Sequence, residues 1–327
     1  MPLAPHDASC PGPAALTAMP LMPALSRTRR LLLSTAAAAA LPLRAQPARA
    51  PRLVASFSIL ADMAREVAPA DFELTALVGP DADAHVFKPT PADARRLAQA
   101  DLVLVNGLGF EGWLDRLVRA SGFRGPVVVV SRGLQPRQGT RAHHGGSGHG
   151  HSHAVDPHAW QDIAHARHYA ARIAEALAAQ WPDRRPQIEA RRADYDGRLG
   201  ALDARLRERL ARTPREQRRV LVSHDAFGYL GAAYGIDFFS PQGWSTHSAP
   251  SAATVARLIR QAREQRVRAV FVENIGDPRL IQRIAQEAGA RVGGTLYSDA
   301  LSGPGGPADT YLRLIEHNVT ALADALA

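Results

Sequence analysis

From residue 52 onward the chain alternates between two hydrophobic rhythms. Short, nearly unbroken apolar runs (RLVASFS, FELTALV, DLVLVNG, PVVVVS) predict strands. Between them, Ile59 to Val67, PADARRLAQA and GWLDRLVRAS space their apolar residues three and four apart and predict helices. Such alternation, with a β-branched run from Val127 to Val130, predicts a parallel sheet covered on both faces. A second block repeats the rhythm: RVLVS, the helix AFGYLGAAYG, IDFFS, the helix SAATVARLIRQAREQ, RAVFVE, the helix DPRLIQRIAQEAG, ARVGGTLYS and a closing helix from Thr310. AWQDIAHARHYAARIAEALAAQ between the blocks reads as helix. Residues 186–212 read as one long charged helix with Leu199, Leu202, Leu206 and Leu210 on a single face. The expectation is an α/β protein of two lobes, 51–185 and 213–327, joined by the helix 186–212 with a cleft between them.

The first fifty residues follow another pattern. A basic start at Thr28-Arg29-Arg30 precedes an apolar run from Leu31 to Leu43 and then small residues up to Ala50. That run is too short to cross a bilayer and suits a cleaved secretory signal, here resembling the twin-arginine type. No cysteine ends the run, so a soluble exported protein is expected. The single cysteine, Cys10, precedes the expected cleavage and excludes a cysteine-rich zinc module.

The net charge of +8 does not indicate nucleic acid. Half of it lies in the leader, and the arginines of the long helix (Arg191, Arg192, Arg205, Arg207, Arg209) interleave with Glu189, Asp194, Asp196, Asp203 and Glu208, as on a solvated face.

Six of the 13 histidines fall within RAHHGGSGHGHSHAVDPHAW, residues 141–160. Glycine and serine between His143 and His153 leave His143, His144, His149, His151 and His153 without a fixed geometry. His158 differs, because in DPHAW it sits in a turn where Asp156 can cap and Pro157 can open the next helix. Open parallel sheets place ligands beyond the carboxyl ends of their strands. His85 follows the strand ending at Val78, His224 ends RVLVS, and Asp299 follows the strand ending near Tyr297. With His158 they form four metal-type residues at strand ends, two in each block, able to hold one ion between the lobes. His165 and His168 could share a metal with Asp162 but read as a solvated helix face; His247 and His317 read as surface residues.

Five segments in order, GPDADAHVFKPTPADARRLAQADLVLVNGLGFEGWLDRL, VDPHAWQDIAHARHYA, LVSHDAFGYL, APSAATVARLI and RAVFVENIGDPRLIQRIAQEAGARVGGTLYSDALS, resemble the metal-binding component of zinc and manganese ATP-binding cassette importers. The resemblance runs from about residue 52 to the C terminus. It implies two α/β lobes, a rigid connecting helix, one metal held by His85, His158, His224 and Asp299, and delivery to a membrane permease and its ATPase. Manganese-type members carry glutamate at the third ligand position, where this chain has His224. Three imidazoles and one carboxylate suit tetrahedral Zn²⁺, whereas Mn²⁺ favours more oxygen. A histidine-rich insertion such as 141–153 resembles that of zinc members and implies weaker, accessory zinc binding. The chain is therefore expected to be a periplasmic, monomeric zinc carrier. A manganese- or iron-type carrier, a zinc buffer without a transporter and a zinc hydrolase are the alternatives. Four protein ligands leave a tetrahedral ion no open position, and no HExxH, GxSxG or Walker motif is present, so neither catalysis nor ATP hydrolysis is expected.

Overall fold

β1 (Arg52–Phe57), buried along nearly its whole length, pairs in parallel with β2 (Glu73–Val78) on one side and β3 (Leu102–Val105) on the other, and β4 (Val127–Val129) closes the far edge. The computed structural model describes residues 49–138 and 155–327. The second sheet repeats this order: β5 (Arg219–Leu221) lies between β6 (Asp237–Phe239) and β7 (Ala269–Glu273), with β8 (Arg291–Leu296) at the edge, all parallel. The expected strands and helices are found in the expected order. One detail differs: β4, expected to be covered on both faces, is an edge strand, and Val127 remains 39% exposed.

Helices α1 (Ser58–Val67), α2 (Pro91–Ala98) and α3 (Leu114–Ser121) flank the first sheet. α6 (Gly228–Tyr234), α7 (Ala252–Glu264) and α8 (Arg279–Ala288) flank the second. α4 (Ile163–Gln180) and α5 (Arg185–Ala211) lie between the two blocks, and α9 (Tyr311–Leu326) closes the chain. At 27 residues, α5 is about 40 Å long. It buries Ile188, Tyr195, Leu199, Leu202, Leu206 and Leu210 along one face and packs against α1, α4 and α9. Its other face carries exposed ion pairs, among them Arg167 with Asp196 and Arg209 with Asp324. Each such pair contributes little; the buried stripe holds the helix.

The core is not divided at the lobe boundary. One continuous cluster runs from Leu53 and Phe57 in β1, through Trp160 and Tyr169, to Phe227, Tyr311 and Leu326, with the buried face of α5 inside it. A smaller cluster beneath α7 and α8 belongs to the second lobe alone. Thus α5 is built into the shared core, and rotating one lobe against the other would expose apolar surface.

The carboxyl ends of both sheets face the same space. Asp81 Oδ1 accepts from Asn274 Nδ2 (2.9 Å), Asp81 Oδ2 from the backbone N–H of Gly303 (3.0 Å), and Asp83 Oδ2 from Thr246 Oγ1 (2.6 Å). The loop after β2 is thereby tied to the second lobe.

Candidate metal centre

His85 lies on that tied loop. Its backbone N–H donates to Asp83 Oδ1 (2.8 Å), the preceding carbonyl of Ala84 accepts from Trp113 Nε1 (2.8 Å), and the loop ends where Thr90 and Asp93 cap α2 reciprocally. The ring packs edge-on against Phe110, with centroids 4.7 Å apart.

His158 is held by its neighbours in the chain. Asp156 Oδ1 accepts from the backbone N–H of His158 (3.0 Å) and lies 2.8 Å from its Nδ1, and Asn106 Nδ2 donates to Pro157 O (2.9 Å). Asp156 therefore orients His158 instead of capping a helix that starts at Pro157. A 3₁₀ turn, Ala159–Gln161, follows, and the cap of α4 is Asp162, which accepts from the backbone N–H of Ala164 (2.9 Å).

His224 lies three positions after the end of β5 and pairs with Gln242 in an isolated bridge. Glu273, the last residue of β7, holds it twice: Oε1 accepts from the backbone N–H of His224 (2.9 Å), and Oε2 lies 2.7 Å from Nδ1. Asp299 follows β8, and the carbonyl of its neighbour Ser298 accepts from Trp160 Nε1 (2.9 Å) and Gln161 Nε2 (2.8 Å). The turn carrying His158 is thus bonded directly to the turn carrying Asp299.

These four side chains meet. One ligand atom from each of His85, His158, His224 and Asp299 lies within 4.8 Å of all the others, and all four residues are buried. His85 Nε2 is 3.3 Å from His158 Nε2 and 3.2 Å from Asp299 Oδ2, His224 Nε2 is 3.2 Å from Asp299 Oδ2, and His158 Nε2 is 3.5 Å from Asp299 Oδ1. Their strand positions are not equivalent. His85, His158 and Asp299 follow edge strands, whereas His224 follows the inner strand β5.

Charge compensation dominates the site. Burial pushes the Asp299 carboxyl up, but His158 and His224 outweigh it and hold the group well below the usual carboxylate range. Burial likewise pushes the His224 imidazole down, but Glu273 and then Asp299 outweigh it and raise the group well above an ordinary histidine. His224 Nε2 and both carboxylate oxygens of Asp299 are nevertheless buried without a hydrogen-bond partner, an arrangement that is costly unless a further group satisfies them.

The other candidates stand apart from this group. His168 Nε2 lies 3.0 Å from Arg132 O, the ring of His165 packs against Tyr229, and His317 Nε2 lies 3.0 Å from Thr295 O. These three are half-buried structural residues and not the solvated ones expected, because their helices pack those faces against a neighbouring loop, helix and strand. His247 is exposed, as expected. His143, His144, His149, His151, His153 and residues 1–48 of the leader lie outside the described residues. Glu273 escaped the sequence reading although it ends an apolar strand, the same signal that singled out His224 and Asp299.

The family model described as zinc-uptake complex component A, periplasmic, matches residues 53–325. The chain is 32% identical to the iron-binding protein YfeA of Yersinia pestis over 277 residues, spanning 83% of this chain and 85% of that protein. It is 30% identical to the zinc-binding protein TroA of Treponema pallidum over 284 residues (85% and 89%) and 29% identical to the manganese-binding lipoprotein MntA of Halalkalibacterium halodurans over 278 residues (84% and 88%). The solved structure of TroA superposes with a TM-score of 0.78 at 28% identity, covering 85% of this chain and 99% of that one. A manganese-bound periplasmic metal-binding protein from Candidatus Liberibacter asiaticus gives 0.75 at 28% identity, covering 85% and 100%. The chain accordingly belongs to the zinc-uptake component A family: it is the metal-binding component of an ATP-binding cassette importer, a transport protein and not an enzyme.

Proposed function

We propose that the protein captures Zn²⁺ in the periplasm, with His85, His158, His224 and Asp299 as its four ligands, and passes it to the importer's permease and ATPase. The observation that carries this reading is the set of polar atoms facing one another at the junction of the lobes: His224 Nε2 and both oxygens of Asp299, buried and without a hydrogen-bond partner. A dication satisfies all three at once. The spacing suits zinc, since bonds of about 2.0 to 2.1 Å in a tetrahedron place neighbouring ligands about 3.3 Å apart, and the closest ligand contacts here are 3.2, 3.2, 3.3 and 3.5 Å. Asp156 and Glu273 beside two imidazole Nδ1 atoms leave Nε2 to the metal, the arrangement that raises imidazole basicity in zinc sites.

In this reading the leader exports the protein by a twin-arginine-like route and is then removed. The two lobes 51–185 and 213–327, with 186–212 between them, carry the site as a monomer. His143, His144, His149, His151 and His153 collect zinc weakly and exchangeably.

A second reading, manganese or iron as cargo, has one observation in its favour. Both oxygens of Asp299 face the site, and bidentate coordination would raise the ligand count above four, as manganese prefers. Calorimetry on the mature protein decides between the two. One tight zinc equivalent that manganese cannot displace, lost when His85, His158 and His224 are all changed to alanine, supports the proposal. A tight equivalent that survives the triple change removes the cleft as the site, and displacement of zinc by equimolar manganese favours the second reading.

A further inference from the structure

Asp156 does more than orient His158. Its backbone N–H donates to Arg137 O (3.0 Å), and its own carbonyl accepts from the hydroxyl of Tyr229 (3.1 Å). The same hydroxyl accepts from the backbone N–H of Arg137 (2.9 Å). A single phenol oxygen thus bridges both strands of the short ladder Arg137-Gln138 and Val155-Asp156, whose outer rung is the antiparallel bridge of Gln138 with Val155.

Tyr229 belongs to the other lobe. It is the second residue of α6, five positions after His224, and is only 3% exposed. Its ring is fixed on two sides, edge-on to His165 of α4 (centroids 5.1 Å apart) and beneath the Arg137 guanidinium (5.7 Å to the centroid). The residue before it is constrained as well: a Cβ on Gly228 would lie 2.8 Å from Asp156 Oδ2, so only glycine lets α6 approach this carboxylate unhindered. The Asp156 side chain meanwhile reaches Arg137 Nε at 3.8 Å and His158 at 2.8 Å.

The geometry points to Tyr229 as a positioning residue for metal retention: its hydroxyl couples the lobe carrying His224 to the backbone of Asp156, the residue whose carboxylate aims His158, and so slows escape of the ion. This rests on the cleft reading of the metal site. With the hydroxyl gone, Asp156 keeps its carboxylate but loses its bond to α6. His158 can then move with the first lobe while His224 stays with the second, and the four ligands part more readily. The consequence is kinetic: one tight equivalent remains, and the ion leaves faster.

The test compares Tyr229→Phe with Tyr234→Phe in the mature full-length protein loaded with zinc. Tyr234 lies on the same helix and donates its hydroxyl to Asp203, away from the site. Zinc release into excess chelator is followed by stopped flow, and the Co²⁺-loaded forms are compared by their visible absorption. Tyr229→Phe should retain one tight zinc equivalent, release zinc about tenfold faster and shift the cobalt bands; Tyr234→Phe should leave the release rate and the bands unchanged. If Tyr229→Phe impairs folding, Gly228→Ala serves instead, since its methyl presses on Asp156 with the hydroxyl in place and should also speed release. Unchanged release in both Tyr229→Phe and Gly228→Ala, or equal acceleration by Tyr234→Phe, overturns the proposal while leaving the cleft intact. Absence of any tight metal in the unaltered protein overturns both.

Discussion

Glu273 holds His224 by two atoms, accepting its backbone N–H at 2.9 Å and lying 2.7 Å from Nδ1, with both side chains 1% exposed. A carboxylate so placed fixes which imidazole nitrogen faces the centre. Removing such an outer partner typically weakens a metal site 10- to 100-fold. Glu273→Ala should therefore cost about that much in zinc affinity, and Glu273→Gln less, because the amide oxygen can still accept a hydrogen bond. Competition titration against a zinc chelator measures both.

The same pairing constrains any exchange of His224 for an oxygen ligand. His224→Glu would set two buried carboxylates against each other, and an unpaired buried charge costs about 3 kcal/mol or more. The single variant should melt lower without metal and bind zinc poorly. Adding Glu273→Gln should restore binding and narrow the preference for zinc over manganese, read by competition calorimetry. A single variant as stable as the parent would show that Glu273 does not press on this position.

Proton release should accompany capture. Although burial works against it, Glu273 and Asp299 raise the His224 imidazole well above an ordinary histidine, so the metal-free protein is expected to carry a proton there at neutral pH. The pair therefore stabilises the metal-free fold fully below about pH 6.5, and that contribution is lost as pH rises through the raised value. Zinc requires the neutral ring, so its binding should release about one proton at pH 7, and its affinity should fall as pH drops toward 5. Calorimetry in buffers of different ionisation enthalpy counts the proton.

Away from the site, Asp62 in α1 is buried and its carboxyl is pushed up to about 6, with burial outweighing the hydrogen bond from the Tyr311 backbone N–H. A carboxyl raised in this way binds its proton more tightly folded than unfolded. Stability should therefore fall as pH climbs from about 4 to about 6 and stay reduced above. Asp62→Asn keeps an acceptor for Tyr311 and removes the titration. Urea unfolding of the metal-free protein should show it more stable than the parent at pH 7, by at most about 3 kcal/mol, and equal to it near pH 4.

Much of this was legible in the chain. The two rhythms of apolar spacing give both sheets and the long helix, and metal-type residues at strand ends, read with the family resemblance, single out His85, His158, His224 and Asp299. Partnerships across sequence were not legible. Glu273 lies 49 residues from His224, and no local pattern pairs them. Asp156 read as a helix cap because Asp-Pro often opens helices, yet the nearer imidazole takes its oxygen. Val127 read as covered because a valine run does not tell an edge strand from a central one. His165, His168 and His317 read as surface because spacing shows which residues share a face but not what packs against it.

The most direct test of the central claim is anomalous diffraction at the zinc edge from crystals of the mature zinc-loaded protein. One strong peak is expected at the junction of the lobes, about 2.0 to 2.2 Å from the Nε2 atoms of His85, His158 and His224 and from Asp299. A dominant peak elsewhere, or any two of those side chains turned away from it, would contradict the account.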